Sequence, residues 1–179
     1  MNISEFEKIK TNEKIDTDNI QTAVVNALLE KGLRIATAES CTGGMISQKI
    51  TQVSGASSVF DCSVCSYSNE IKTALLGVKR ETLIKYGAVS RQTAEQMARG
   101  ILRISKADIA LSVTGIAGPT GGTKNKPVGL VYIGVATKDI CFAIKCMFND
   151  KSPLPNREQI REYSAKTALY YALKMTEKM

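Results

Sequence analysis

The sequence alternates between segments of helical and of strand periodicity, and this alternation limits the folds that the chain can adopt. Apolar residues recur at helical spacing over residues 20–31, and a short alternating run follows at 33–37. Another helix-then-strand pair covers residues 90–113. Two further apolar runs, 128–137 and 140–148, are separated by only two residues, which predicts an antiparallel hairpin. The pattern predicts a single three-layer α/β/α domain with a mixed, mostly parallel sheet and a hairpin in its C-terminal half.

Length and composition fit one domain of ordinary size. The chain has 179 residues, of which 44% are hydrophobic, so it can bury a sizeable core. Residues 1–17 are polar and lack apolar periodicity, so we predict a flexible N-terminal arm there and a folded domain over residues 18–179. No segment approaches the roughly 20 apolar residues that a membrane span requires. We therefore expect a cytoplasmic protein that does not bind a membrane.

The absence of histidine narrows the chemistry that the chain can perform. Histidine is the commonest general base and the commonest protein ligand of metal ions, and this sequence contains none. Any nucleophile must therefore be activated by a different base. Cys62 and Cys65 have the spacing of a CxxC pair, but the other three cysteines provide no matching pair, which favours a structural role.

The first candidate site follows the first predicted strand. Residues 38–44 read Ala-Glu-Ser-Cys-Thr-Gly-Gly, which places Ser40 where a strand gives way to a helix. Free backbone N–H groups at a helix start can stabilise an oxyanion or bind a phosphate, and here they belong to Thr42, Gly43 and Gly44. Spacing alone equally allows that the hydroxyl groups cap the helix and that the glycines permit close packing.

A second group of candidates lies between the second predicted strand and the next helix. Lys72 can lose its proton if it is partly desolvated, and it would then act as base to a serine. Tyr67 and Asn69 are close to it in sequence and offer a phenol and an amide for proton relay or substrate orientation. The ordinary alternatives are that Lys72 is a surface lysine, that Tyr67 ends a strand and that Asn69 caps a helix. Cys41 competes with Ser40 as nucleophile but has no histidine to generate its thiolate.

Two further features bear on possible ligands. The loop over residues 114–122 can wrap a phosphate or ribose, with Thr114 and Gly115 as candidate contacts, although it matches neither a P-loop nor a dinucleotide fingerprint. A plain connecting loop is the equal alternative. The formal net charge of +7 suits an anionic partner, but the basic residues form no run. Aromatic residues make up only 6% of the chain, which argues against nucleic-acid binding.

Five blocks of sequence together resemble a known family. They are TAESCTGG at 37–44, SYSNEIKTALLGV at 66–78, GAVS at 87–90, TGIAGPTGG at 114–122 and KPVGLVYIGVA at 126–136. In this order they are similar to the CinA C-terminal domain family over roughly residues 20–175. The resemblance implies an α/β/α amidohydrolase that converts nicotinamide mononucleotide to nicotinate mononucleotide and ammonia, in pyridine nucleotide salvage. It also implies a homodimer that requires no metal and no cofactor.

The resemblance also assigns roles to individual residues. Ser40 would be the nucleophile, with Tyr67 and Lys72 as its supporting pair. We expect neutral Lys72 to accept the Ser40 proton and nearby N–H groups to hold the oxyanion. The expected substrate contacts are Thr42, Gly43, Gly44, Asn69, Thr114 and Gly115. Two departures from the family pattern, at residues 61–65 and at Thr120, remove no proposed catalytic group.

Two alternatives to this function stay open at the level of sequence. The chain could be a non-catalytic, nucleotide-binding or competence-associated regulatory module that uses the same pocket, although intact Ser40, Tyr67 and Lys72 argue against it. It could also be a hydrolase of a different amide, because the side chains that select the substrate cannot be placed from sequence.

Overall fold

Six α-helices and five β-strands lie within residues 19–179, the part of the chain that the computed structural model describes. The predicted arm at residues 1–17 lies outside this part. The helices are α1 (Ile20–Lys31), α2 (Met45–Thr51), α3 (Asn69–Leu76), α4 (Arg80–Tyr86), α5 (Arg91–Ser105) and α6 (Arg157–Lys178). The strands are β1 (Ile35–Glu39), β2 (Phe60–Cys65), β3 (Ile109–Gly115), β4 (Leu130–Ala136) and β5 (Cys141–Met147). None of these six helices is long and apolar enough to cross a bilayer.

The five strands form one mixed sheet in the order β2-β1-β3-β4-β5. Strand β1 is central to the parallel part and pairs with both β2 and β3. Strand β4 runs antiparallel to both of its neighbours, β3 and β5. Four of the five described strands therefore point in one direction, and β4 and β5 form the predicted hairpin. The predicted α/β class with a mixed sheet is confirmed.

Helices cover both faces of the sheet and complete the predicted three layers. Helices α1, α2 and α6 enclose the larger apolar core on one face, whereas α3, α4 and α5 enclose a smaller one on the other. Side chains alternate between these faces along β3, so that Ile109, Leu111 and Val113 enter the larger core and Ala110 enters the smaller one. The burial of apolar surface in both cores is the main favourable term in folding.

Small residues let α5 lie very close to its neighbours. A Cβ atom on Gly100 would lie 2.0 Å from the Leu76 carbonyl oxygen, and one on Gly134 would lie 2.6 Å from the Ala94 carbonyl oxygen. The Ser112 hydroxyl donates a hydrogen bond to that same Ala94 oxygen at 2.6 Å. A larger side chain at Gly100 would push α5 away from α3, and one at Gly134 would push α5 off the sheet.

Side-chain caps fix where the helices next to the site begin. Ser68 caps α3 by accepting a hydrogen bond from the Ile71 N–H. Helix α6 begins with a capping box, in which the side chains of Asn156 and Gln159 each accept a hydrogen bond from the other's backbone N–H. These caps set the rotation of α3 and α6, and therefore which side chains each helix presents to the carboxyl ends of β1, β2 and β3.

Candidate active site

Ser40 follows directly on β1 and opens a tight turn into α2. Its backbone N–H donates to the Val113 carbonyl of β3 at 3.0 Å, which extends the pairing of β1 and β3 by one residue. Gly43 and Gly44 have φ values of 57° and 93°, a region that residues with side chains rarely adopt. The chain can therefore change from strand to helix within a few residues, and Ser40 is held at the carboxyl edge of the sheet.

The buried carboxylate of Glu39 holds this turn in place. The side chain is fully buried, and its Oε2 accepts hydrogen bonds from the N–H groups of Gly44 at 2.9 Å and Ile46 at 3.2 Å. Its Oε1 accepts from the N–H of Ser47 at 2.9 Å and from the Ser47 hydroxyl at 2.6 Å. N–H groups at a helix start lack partners within the helix, and a negative charge is favourable there. Glu39 therefore occupies the donors that an anionic ligand would need.

This arrangement bears on one expectation about the turn. The Gly44 N–H is donated to Glu39, and the Gly43 N–H is donated to the Ser40 carbonyl at 3.1 Å. The geometry therefore gives no support to an oxyanion role for these two N–H groups, because both are used within the turn. Thr42 is fully buried, and its hydroxyl oxygen has no hydrogen-bond partner within residues 19–179.

Lys72 reaches Ser40 from the first turns of α3. Its Nζ donates hydrogen bonds to the Ser40 hydroxyl oxygen at 3.2 Å and to the Ser66 carbonyl at 2.6 Å. The residue is only 1% exposed. Burial lowers the pKa of Lys72 from its ordinary value, because a desolvated ammonium ion is less stable than the neutral amine. A buried amine in contact with a serine hydroxyl can act as its base.

Cys41, the competing nucleophile, lies in an environment that suppresses its reactivity. Its side chain is buried, and this burial raises the pKa of Cys41 to about 12. At neutral pH the thiol stays protonated, whereas the thiolate is the reactive form of cysteine. Ser40 is therefore the better placed of the two adjacent nucleophiles.

A cleft of about 270 Å³ opens over Ser40 and Lys72. Its walls come from the turn after β1, the loop after β3, two residues before α5 and two side chains at its mouth. The lining residues are Ser40, Cys41, Tyr67, Lys72, Ala88, Val89, Thr114, Gly115, Ile116, Ala117, Gly118, Thr120, Gly121 and Arg157. The structure thus brings together five of the residues singled out in the sequence as catalytic or substrate-binding: Ser40, Tyr67, Lys72, Thr114 and Gly115.

Four other expected substrate contacts lie outside this lining. Thr42, Gly43 and Gly44 form the turn beneath it, and their described hydrogen bonds are made within the protein. Asn69 is exposed on α3 and lines a separate cleft with Thr73 and Arg80. A substrate contact by these four residues stays a prediction, because none of them lines the cleft over Ser40.

Tyr67 and Arg157 meet at the mouth of the cleft. Tyr67 is 67% exposed, and its hydroxyl oxygen accepts a hydrogen bond from Arg157 Nη2 at 3.1 Å. Within residues 19–179 no hydrogen bond joins Tyr67 to Lys72 or Ser40. Arg157 Nη1 also donates to the Gly118 carbonyl at 2.6 Å. Sequence reasoning missed Arg157, whose only local signal is its place directly after the helix cap.

Arg161, one turn further along α6, was missed as well. Its Nε donates to the Cys41 carbonyl at 3.2 Å, and its Nη2 donates to the Thr42 carbonyl at 2.7 Å. Residues four apart lie on one face of a helix, so Arg157 and Arg161 point to the same side of α6. Arg161 therefore binds carbonyl groups of the turn after β1, and Glu39 binds N–H groups at the end of the same turn.

Within residues 19–179, no group of three or more potential His, Cys, Asp or Glu ligands is placed to hold a metal ion. All five cysteines are free thiols.

Comparison with known proteins gives the family directly, since the family described as the CinA C-terminal domain matches residues 17–176. The chain belongs to the CinA C-terminal domain family. The resemblance seen in the five sequence blocks is therefore confirmed.

Curated CinA relatives share about half of their aligned residues with this chain. It is 53% identical over 155 residues to a competence-damage inducible protein from Caldicellulosiruptor saccharolyticus, an alignment that covers 87% of this chain and 36% of that protein. It is 51% identical over 154 residues to a CinA-like protein from Syntrophomonas wolfei, covering 86% of this chain and 36% of that protein. The chain therefore spans little more than a third of the length of these relatives.

Solved CinA structures have the same fold. The competence/damage inducible protein CihA from Agrobacterium tumefaciens superposes with a TM-score of 0.81 at 41% identity, covering 87% of this chain and 96% of that one. A CinA superfamily protein from Escherichia coli gives a TM-score of 0.85 at 27% identity, covering 98% of this chain and 99% of that one. The match extends over nearly the whole of each structure.

The two departures from the CinA pattern lie in different places. Residues 61–65 belong to the edge strand β2, where Asp61 forms an ion pair with Arg34. None of these residues lines the cleft over Ser40. Thr120, in contrast, is one of the lining residues. Of the two departures, only Thr120 therefore faces a ligand in the cleft.

We predict that Glu39→Gln destabilises the fold much more than Glu30→Gln does. The amide cannot accept hydrogen bonds on both of its terminal atoms, so buried donors of α2 lose their partner, at a cost of about 3 kcal/mol. Glu30 is an exposed residue of α1 and serves as the matched control. Denaturant unfolding of the three proteins measures the difference. Equal free energies of unfolding in the two variants would contradict the structural role of Glu39.

Proposed function

We propose that this CinA-family chain hydrolyses the carboxamide of nicotinamide mononucleotide to nicotinate mononucleotide and ammonia. The observation that carries the proposal is the 3.2 Å contact between the Ser40 hydroxyl and the buried amine of Lys72. A serine nucleophile needs a base, and this chain has no histidine to provide one. The choice of a pyridine nucleotide carboxamide as substrate is supported by the family resemblance of the sequence motifs around both residues.

In the first half of the proposed reaction, neutral Lys72 takes the proton of the Ser40 hydroxyl while Ser40 Oγ bonds to the carboxamide carbon. The resulting tetrahedral intermediate carries a negative charge on the former carbonyl oxygen. When it collapses, the carbon–nitrogen bond breaks, and Lys72 returns the proton to the departing nitrogen, which leaves as ammonia. Ser40 is then linked to the nicotinate mononucleotide as an ester.

In the second half, water replaces ammonia at the same carbon. Lys72 accepts a proton from the water, the water oxygen bonds to the ester carbon, and the bond to Ser40 Oγ breaks as Lys72 returns the proton to it. The hydrogen bond from Lys72 to the Ser66 carbonyl keeps the amine beside Ser40 through both halves. The products are nicotinate mononucleotide and the free enzyme.

The backbone N–H of Cys41 is the proposed donor to the oxyanion. Cys41 directly follows the nucleophile and lines the cleft, whereas the donors of Gly43 and Gly44 are already used. In other serine hydrolases built on α/β sheets, the residue after the nucleophile supplies one such donor. A preorganised N–H stabilises the developing negative charge without any reorganisation during the reaction.

The remaining walls of the cleft suit the other parts of a mononucleotide. Ala88, Val89, Ile116 and Ala117 provide apolar surface for the flat pyridine ring. Arg157 at the mouth offers a cation with five N–H donors, of which the described bonds use two, so it can also bind a phosphate group. Because Tyr67 accepts its bond from Arg157, its own O–H is available for donation to substrate or to departing ammonia.

We predict that Ser40→Ala lowers ammonia release from nicotinamide mononucleotide by at least about a thousandfold, because it removes the nucleophile. Cys41→Ala and Ser57→Ala should both keep most of the activity. The Cys41→Ala variant tests whether the neighbouring thiol takes part in the reaction. The Ser57→Ala variant is the matched control, because Ser57 is an exposed serine outside the cleft. The assay contains no added metal, and free nicotinamide is run beside the mononucleotide to measure the contribution of the ribose phosphate.

Three outcomes would contradict the proposal in different ways. Full activity of Ser40→Ala would show that Ser40 is not the nucleophile. Loss of activity in Cys41→Ala but not in Ser40→Ala would move the role to Cys41. Binding of the mononucleotide by wild-type protein without ammonia release would favour a nucleotide-binding module over an enzyme.

We also predict that kcat/KM falls with decreasing pH as Lys72 becomes protonated. The base is the neutral amine, and burial lowers the pKa of Lys72, so the fall lies below the pH at which an ordinary lysine titrates. Formation of nicotinate mononucleotide, followed by chromatography, measures the profile. Lys72→Arg stays protonated and should be inactive across the range, whereas Lys79→Arg, at an exposed position, should keep the wild-type profile. A wild-type profile in Lys72→Arg would refute the assignment of the base.

A further inference from the structure

We infer that Lys126 is a positioning residue that holds one wall of the cleft. It opens the sequence block at 126–136 and lies in the long loop between β3 and β4. It is not among the residues that line the cleft, so any effect on a ligand must pass through the residues that it contacts. The identity of that ligand as a mononucleotide rests on the proposed function.

The ammonium group of Lys126 ties two backbone carbonyls together. Its Nζ donates hydrogen bonds to the Tyr86 carbonyl at 2.6 Å and to the Val89 carbonyl at 2.8 Å. Tyr86 is the last residue of α4, whose final carbonyls have no partner within the helix and attract a positive charge. Lys126 therefore spans the short segment that links α4 to α5.

The backbone of Lys126 is itself held in a tight turn. Its N–H donates to the carbonyl and the hydroxyl of Thr123, and its carbonyl accepts from the Thr123 N–H at 2.8 Å. This turn fixes the point from which the side chain extends. The loop after β3 and the segment before α5 are thus linked through one fixed lysine.

Lys126 crosses directly over Gly87. A Cβ atom at Gly87 would lie 3.0 Å from Lys126 Nζ, and the residue has a φ of 76°. Both the close approach and the positive φ favour glycine at this position. The two ends of this contact, Lys126 and Gly87, are the first residues of two of the five sequence blocks.

The segment that Lys126 spans has all of its carbonyls bound by side chains. The Lys126 amine donates to the carbonyls of Tyr86 and Val89. The hydroxyl groups of Ser90 and Thr93 both donate to the Gly87 carbonyl. The Thr114 hydroxyl donates to the Ala88 carbonyl. Residues 87–89 have no regular secondary structure that would hold them otherwise. These side-chain bonds therefore set where the segment lies.

Two residues of this segment, Ala88 and Val89, are lining residues of the cleft. They form part of the wall of the cleft, so their position determines how well a flat ring fits there. Loss of the Lys126 bonds would loosen this wall but leave Ser40 and Lys72 in contact. The structure therefore assigns Lys126 an effect on substrate binding and not on the chemical step.

The test compares Lys126→Met with Lys124→Met, an exposed lysine of the same loop. We expect Lys126→Met to raise KM for nicotinamide mononucleotide about tenfold, the equivalent of roughly 1.4 kcal/mol, with kcat changed less than about twofold. The pH profile of kcat/KM should keep its wild-type midpoint. Lys124→Met should match wild type in all three quantities.

Hydrogen–deuterium exchange of the two variants and wild type supplies a readout that does not depend on activity. Amides of residues 86–90 should exchange faster in Lys126→Met than in the other two proteins, while the midpoint of thermal unfolding stays close to that of wild type. Unchanged exchange there, or an unchanged KM in an active enzyme, would overturn the inference. If wild-type protein releases no ammonia, the proposed function fails, and the exchange comparison alone decides the role of Lys126.

Discussion

The hydrogen bonds between the Glu39 carboxylate and the start of α2 determine the form of the whole site. They join the end of β1 to the helix that follows and hold the turn between them, where Ser40 lies. Since a buried carboxylate needs several donors to offset its desolvation, it takes the N–H groups that a helix start would otherwise offer to an anion. The start of α2 therefore anchors the turn that carries Ser40, and the N–H groups bound to Glu39 are not available to a phosphate. Cations that could bind an anionic ligand in the cleft must be supplied by other residues.

The order of the strands supplies the other parts of the site. Because β1 lies between β2 and β3 and all three run in parallel, the segments that follow them emerge together at one edge. The segment after β2 leads into α3 and brings Lys72 to Ser40, and the segment after β3 forms the facing wall. Helix α6 then reaches over this edge with Arg157 and Arg161, which bind the carbonyls of Gly118, Cys41 and Thr42.

The parts of the site that sequence reasoning found are those set by local rules. Ser40 follows from the change from strand to helix periodicity, and Lys72 from its place between the second predicted strand and the next helix. The hairpin followed from two apolar runs that are almost adjacent. The oxyanion role predicted for Gly43 and Gly44 gains no support from the structure, because the pattern at a helix start does not show that Glu39 turns inward to take the Gly44 N–H or that the Gly43 N–H bonds within the turn.

Other features depend on contacts between distant parts of the chain. Arg161 binds residues 119 and 120 positions earlier, and Arg157 binds Tyr67 from 90 positions away. No local periodicity encodes such contacts, although two arginines four apart on a helix mark one face. Asn69 lies outside the cleft over Ser40 for a related reason, since it lines a separate cleft between α3 and α4, which sequence alone does not show.

The central claim is that the carboxamide passes through an ester on Ser40, formed with the help of buried Lys72. Rapid acid quenching of wild-type protein mixed with excess nicotinamide mononucleotide, followed by mass spectrometry of the peptide that contains Ser40 and Cys41, tests it most directly. The account predicts a nicotinate mononucleotide acyl group on Ser40 that is absent from Ser40→Ala and present in Cys41→Ala. An acyl group on Cys41, or steady turnover with no acylated peptide at any quench time, would contradict it.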